Sequence, residues 1–397
     1  MSESSKRICI LGGGFGGLYT ALRLSELDWG EEKPEIVLVD QRDRFLFSPL
    51  LYEIVSEEMQ TWEIAPPFTE VLANTGIHFL QARVEGIDVE QHQVYLENRP
   101  PLPYDRLVIA MGGHTPTDLV NGVKEHAIPF RTLENAYRLK EKLRFLEETE
   151  AEKVRVAVVG GGYSGVEIAC KLADRLGEQG RIRIIDRGSD ILKTSPDHNR
   201  EVAKAALEDR QIWVDTETSV ESVGSETISL LYKNQVDILP VDIVLWTVGI
   251  AVSPMIQSLP LAKDEKGYLQ VNSYLQVENQ GDIFALGDVI QCYDAQGQAV
   301  PATAQAAIQQ ADYCAWNIWA SMGNRPLLPF RYHALGEMMA LGVDNATLTG
   351  LGLQLDGPFA YLARRLAYLY RFPTLEHQLT VGLNWFVQPV VQFLSQV

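Results

Sequence analysis

Two sets of glycines have the spacing to do chemistry. Gly12, Gly14 and Gly17 in RICILGGGFGGLYTALRL stand at G-x-G-x-x-G, and Gly160, Gly162 and Gly165 repeat it in VRVAVVGGGYSGVEIACKLADRL. A turn of this kind between an apolar strand and a helix binds a pyrophosphate. Its first glycine permits the tight turn, the second lets backbone approach the phosphates, and the third lets helix and strand pack closely. The helix start then offers free N–H groups and the positive end of its dipole. An acid closes each unit, because EIVLVD ends in Asp40 and RIRIID in Asp186, each placed to accept hydrogen bonds from a ribose diol. One such match is weak. Two complete strand–turn–helix–strand–acid units in one chain point to two dinucleotide sites.

Further segments belong with these turns. YDRLVIAMGG runs a strand through Ala110 into Gly112 and Gly113, and LWTVGI does the same with Gly249. GDIFALGDV places Gly287 and Asp288 beyond a buried strand, where an acid can face polyol hydroxyls while the following helix dipole approaches a ring system. Gly16 and Ala110 complete the expected lining of the first site. Arg187 follows Asp186 directly, and Arg181 and Arg183 precede it on the same strand. The acid favours an unphosphorylated ribose, and Arg187 could supply a cation for a 2′-phosphate.

The elements that must hold these residues set bounds of their own. A chain of 397 residues suits two or three domains. With 46% hydrophobic and 22% charged residues it resembles an ordinary globular protein, and its formal charge of −18 argues against a nucleic-acid partner. Cys9, Cys170, Cys292 and Cys314 are scattered without a C-x-x-C pair, so a disulfide framework, a zinc ribbon and a thioredoxin-type motif are all unsupported. The seven histidines show no metal-ligand spacing, and no metal is expected. The opening MSESSKR reads as no secretory signal, and no apolar run is long enough to span a membrane.

These motifs together resemble the flavoproteins with two dinucleotide-binding domains, the class of glutathione reductase, ferredoxin reductases and type II NADH:quinone oxidoreductases. The resemblance covers essentially the whole chain. It implies an α/β fold of two Rossmann-like domains in which the nicotinamide domain is inserted within the FAD domain. Residues 1–113 and 251–330 would then bind FAD and residues 114–250 would bind NADH or NADPH, followed by a C-terminal membrane-associating segment, 331–397. Disulfide reductases of the class need a cysteine pair, and the chain has none at either expected position. QRDRFLFSPLLYEIVSEEM, from Gln41, resembles instead the type II pattern in which F-x-F-x-P-L-L passes near the isoalloxazine ring.

The same resemblance assigns roles to single residues. PATAQAAIQQADYCAWNI resembles the helix near the quinone pocket, where Gln305 and Gln309, on one helix face, would hydrogen-bond a quinone carbonyl. An ordinary polar helix face is the alternative. Glu167, in GGYSGVE, would lie where the two cofactors meet as a proton or nicotinamide contact, or else be a solvated first-turn glutamate complementing the helix dipole. In the tail, Phe359, Leu362, Leu366 and Leu369 recur at helical spacing after Pro358, near Arg364, Arg365 and Arg371. Leu383, Phe386, Val387, Val390, Phe393, Leu394 and Val397 form a second stripe opposite Asn384, Gln388 and Gln392, with Pro389 weakening that helix. Arginine-flanked apolar faces suit a helix lying in a lipid interface. Burial against the same domain or in a homodimer contact is the other fate of such stripes.

LGEMMALG, RRLAYLYRFPT and NW are similar to the cyanobacterial and plastid branch that includes the demethylphylloquinone reductases. That branch implies hydride transfer from NAD(P)H to FAD and on to a membrane prenyl naphthoquinone or plastoquinone, without proton pumping, at the cytoplasmic face of a thylakoid or plasma membrane. A reductase of a ferredoxin- or rubredoxin-type protein and a non-catalytic nucleotide sensor are the competing expectations.

Overall fold

The computed structural model describes residues 6–149 and 152–395. The side chains of Phe386, Gln388, Pro389, Val390, Gln392, Phe393 and Leu394, and all of Val397, lie outside the described residues.

Two five-stranded parallel sheets form the body of the molecule. The first has the order Ile283–Ala285, Arg106–Ile109, Arg7–Leu11, Glu35–Asp40, His78–Gln81. The second has the order Trp213–Asp215, Gly180–Ile185, Val154–Val159, Ile243–Trp246, Ala127–Pro129. In each, the strand that runs into a glycine turn is central. Its neighbours lie on opposite sides, and ligands of open α/β sheets bind at such a switch point. Both central strands are apolar because both sheet faces are covered: Ile8, Cys9, Ile10 and Leu11 are wholly buried.

The first sheet is discontinuous in sequence, since its edge strand Ile283–Ala285 comes after the whole second sheet. The chain crosses between sheets twice, and the crossings lie side by side. His114 and Ala251 exchange two backbone hydrogen bonds of 2.9 Å. An added Cβ on Gly113 would stand 2.4 Å from Ile250, and one on Gly249 would touch Pro116 at 3.0 Å. These glycines allow the crossings to be close. Two antiparallel three-stranded sheets, 84–103 and 219–240, decorate the two units.

The tail differs from a pair of surface helices. It opens with a third antiparallel sheet, Glu337–Ala340, Ala346–Gly350 and Leu353–Asp356. The helices Gly357–Tyr370 and Leu375–Ser395 come next, the latter continuing through position 389. The sheet docks on the second unit, where Asn199 Oδ1 accepts the hydroxyls of Thr347 and Thr349 at 2.9 and 2.8 Å. The helices dock on the first unit, where Phe47 stacks edge-on against Tyr368 and Phe372, and Trp385 Nε1 donates to the buried Glu63 at 2.8 Å. The tail is therefore a clasp over both units.

Candidate active site

The glycine turns satisfy the geometry their sequence demands. Gly12 has φ +97° and Gly160 φ +116°, a region that only glycine enters without strain. A Cβ on Gly17 would lie 1.8 Å from the Gly12 carbonyl oxygen, and one on Gly165 1.9 Å from that of Gly160, so neither helix could approach its strand with any side chain there. A Cβ on Gly14 or Gly162 would meet nothing within 4 Å. These second glycines therefore leave open space at the starts of the helices Phe15–Glu26 and Tyr163–Leu176. No side chain caps either helix, whereas Thr132, Ser253 and Thr303 cap theirs. Free N–H groups beside open space fit a pyrophosphate at each turn.

The two acids do the same local work. Asp40 accepts the N–H of Gly13 at 2.6 Å and of Arg42 at 2.8 Å. Asp186 accepts the N–H of Gly161 at 2.7 Å and of Gly188 at 2.6 Å. Each carboxylate ties its glycine turn to the loop after the neighbouring strand, a role the ribose reading did not anticipate. An open cleft lies beside Asp40, lined by Gln41, Arg42, Gln81, Arg83 and Arg99. Of the basic residues around Asp186, Arg183 pairs with Asp215 at 2.9 Å and Arg181 donates to the carbonyls of Glu178 and Gly180, while Arg187 is exposed.

Around the first turn the other sites converge. An added Cβ on Gly12 would lie 2.4 Å from the Ala110 oxygen, and one on Gly16 2.9 Å from Leu286. Gly112 and Gly287 both have positive φ, at +65° and +75°. Asp288 pairs with Arg131, which precedes the capped helix Leu133–Glu148. Sequence reasoning missed Arg131. It also missed Gln310, whose buried side-chain oxygen accepts the Gly287 N–H at 2.8 Å and fixes the loop bearing Asp288. Asp288 itself sits in a single helical turn, Gly287–Val289. The long helix Ala304–Met322 starts only later, with Thr303 capping it.

Glu167 is buried rather than a solvated first-turn residue. Its Oε1 accepts the Tyr52 hydroxyl at 2.5 Å and the Ala340 N–H at 2.9 Å. Burial pushes its carboxyl up to about 7, against the opposing pull of the Arg364 charge and the Tyr52 bond. Arg364 comes from the tail helix Gly357–Tyr370. It donates to Tyr52 Oη at 2.7 Å and to Glu53 Oε1 at 2.7 Å, and is wholly buried. Burial alone would push Glu53 up, but Arg364, Lys171 and Arg365 overcome it and hold that carboxyl below its usual range. Arg364 is thus no lipid-flanking charge, because an arginine with no exposed surface and a buried carboxylate partner is an internal ion. The signal was available in sequence, since Glu53 sits within the apolar run SPLLYEIV.

Gln305 and Gln309 share one face of the long helix, and both are engaged with the tail's first residues. Gln309 exchanges two 2.9 Å hydrogen bonds with the backbone of His333. Gln305 accepts from Tyr332 at 2.8 Å and Leu335 at 3.1 Å and donates to Gly336. Phe45 and Phe47, from the F-x-F segment, are buried against Phe15 beside the first turn. All four cysteines are buried; burial pushes the thiols of Cys9 and Cys170 up to about 12 and that of Cys292 to about 11, so none is poised as a thiolate.

Comparisons with known proteins agree with this arrangement. Residues 6–311 match the family model described as pyridine nucleotide-disulphide oxidoreductase. The chain is 59% identical, over 100% of its length and 99% of the relative's, to the demethylphylloquinone reductase NdbB of Synechocystis sp.. It is 42% identical, over 98% of its own length and 82% of the relative's, to an alternative NAD(P)H-ubiquinone oxidoreductase of Arabidopsis thaliana. The NDH2 structure of Plasmodium falciparum in complex with NADH superposes with a TM-score of 0.85 at 20% identity, over 96% of this chain and 98% of that one.

Proposed function

From the premise that the chain belongs to the pyridine nucleotide-disulphide oxidoreductase family, among its type II NADH dehydrogenases, we propose that it passes electrons from NAD(P)H through FAD to a lipid-borne prenyl naphthoquinone of the demethylphylloquinone type. Plastoquinone is the second acceptor. The observation that carries this reading is full-length identity of 59% with a demethylphylloquinone reductase, through the tail as well as the two dinucleotide units. The acceptor reaches the enzyme at the cytoplasmic face of a membrane, where the tail helices lie on the surface; no described helix is long and apolar enough to cross it. No proton is pumped.

Each residue set has a task in this scheme. Gly12, Gly14, Gly16, Gly17, Asp40, Ala110, Gly112, Gly287 and Asp288 hold FAD, and Gly160, Gly162, Gly165, Asp186, Arg187 and Gly249 hold the nicotinamide nucleotide. Bound FAD supplies the two-electron exchange itself. Reduction of a quinone to a quinol takes two electrons and two protons, of which a hydride brings one. Glu167 holds the other, because a carboxyl with its pKa near 7 keeps a proton at neutral pH and can release it. Gln305 and Gln309 shape the quinone side by fixing the segment from Tyr332 to Gly336.

Steady-state rates with benzoquinones, naphthoquinones and a ferredoxin, each with NADH and NADPH, test the reading. Naphthoquinones with prenyl tails should give the highest kcat/KM. Reduction of the iron–sulfur protein faster than any quinone would overturn it.

A further inference from the structure

The last hairpin of the tail's sheet turns on residues that do not suit its shape. Gly350 pairs with Leu353, so the strands Ala346–Gly350 and Leu353–Asp356 are joined by two residues, Leu351 and Gly352. Their φ values are +51° and +79°. A two-residue hairpin loop with both residues at positive φ is the turn that favours asparagine before glycine. A leucine in the first place is strained, and this one is also 83% exposed. Strain and exposure are two costs at one residue, and folding of this chain alone recovers neither.

The hairpin also outruns its support. Leu348 and Leu355, paired across it, pack on Ala346, Ala360 and Tyr361. Leu353, two residues nearer the tip on the same face, is 58% exposed because that packing has ended. Beside the tip stands Leu335, itself partly exposed. A Cβ on Gly350 would lie 2.5 Å from the Leu335 carbonyl oxygen, and one on Gly336 2.4 Å from that of Thr349, so these glycines bring the two backbones into contact. The Leu335 N–H in turn donates to Gln305. The three leucines therefore form a projecting apolar edge beside the segment that Gln305 and Gln309 hold.

Charge and area narrow what can cover this edge. From Tyr332 to Ala363 the chain has no lysine or arginine, and its acids are Glu337, Asp344 and Asp356. Asn345 to Leu355 has no ionisable residue at all. With a formal charge of −18 on the whole chain, nothing here attracts an anionic surface or an acidic partner. Three partly exposed leucines offer on the order of 300 Å², short of the roughly 800 Å² per partner of a standard protein interface. A narrow apolar edge of this kind fits a surface that it can enter. We propose that Leu351, with Leu353 and Leu335, inserts into an electrically neutral lipid surface, a contact additional to that of the tail helices. This rests on the reading of a lipid-borne acceptor and adds to it a second point of attachment, next to Gln305.

The four native cysteines are buried, so Leu351→Cys in the intact flavoprotein gives one accessible thiol for a polarity-sensitive fluorophore. Its emission should shift to the blue when phosphatidylcholine vesicles are added, whereas the same label on Val236→Cys, exposed on the other unit, should not respond. Unlabelled Leu351→Asn suits the turn, so its Tm and flavin content should match or exceed the parent's while its vesicle affinity falls about tenfold. Exchanging part of the phosphatidylcholine for phosphatidylglycerol should not raise the parent's affinity. No emission shift with lipid, unchanged affinity of Leu351→Asn, or tighter binding to the anionic vesicles would overturn the inference. So would a shift without lipid that grows with protein concentration, the mark of a second copy on this edge. An enzyme that reduced no quinone would instead count against the proposed acceptor, and the vesicle measurements would still decide the tip.

Discussion

Glu167 shows how much one buried side chain can be asked to do. Its carboxyl has an ordinary value of 4.5 and is raised to about 7 by burial. A folded-state pKa above the unfolded one means the folded protein prefers the protonated form. That contribution is complete below pH 4.5 and is lost as pH rises through 7. Glu167→Gln keeps the oxygen that accepts from Tyr52 and Ala340 but cannot ionise. In the apoprotein it should therefore be more stable than the parent at pH 8, by up to about 3 kcal/mol, and nearly equal at pH 4.5. Thermal unfolding at the two pH values checks this; a stability difference independent of pH would refute it. The same variant should flatten the alkaline limb of quinone reduction near pH 7. None of this was visible in GGYSGVE, which places an acid near a helix start but not the burial that retunes it.

Elements were more legible than the contacts between them. Both glycine turns and the strands leading to Asp40 and Asp186 could be read because backbone geometry restricts those positions to particular residue types, whereas the return of the chain to the first sheet near GDIFALGDV was implied by the family resemblance. The tail could not be read this way. Its three-stranded sheet leaves little trace in the sequence because short antiparallel strands with mixed polarity carry little periodic signal. Arg364 looks like a surface charge in the sequence because helical spacing reports a face and not what covers it. The structure makes a different expectation for the helix Gly357–Tyr370. Removing Arg364 alone leaves Glu53 buried without its main partner, so Arg364→Met should cost about 3–5 kcal/mol. Glu53→Gln in the same chain should recover part of that loss, because the buried carboxylate is gone, although Arg365 then loses its partner at 3.3 Å. A double-mutant cycle by urea unfolding measures the coupling, and simple additivity would show that the pair is not a unit.

At the scale of the molecule, the clasp separates two properties that a simple truncation would confuse. Deleting the tail from Gly357 strips away Arg364 and uncovers Phe47, so it should damage the fold as well as any lipid contact. The outward face is a better target, since Phe359, Leu362, Leu366 and Tyr370 on one helix and Leu375, Leu379, Leu383 and Val387 on the next are all exposed. Replacing Phe359, Leu362 and Leu366 by serine should release the protein from lipid vesicles while its flavin content and Tm stay close to the parent's. Each lost side chain removes about 1.5–3 kcal/mol of transfer energy. Unchanged co-sedimentation would refute a lipid contact through this face. The interrupted first sheet also imposes a timetable on the growing chain. The strand Arg7–Leu11 emerges early, but its sheet lacks an edge until Ile283–Ala285 has been made. At synthesis rates of about 5–20 residues per second, that interval is of the order of tens of seconds. The second unit, continuous from Ala127 to Trp246 in its sheet, has all its strands first. The ribosome thus delivers a finished second sheet while the first still waits for its last strand.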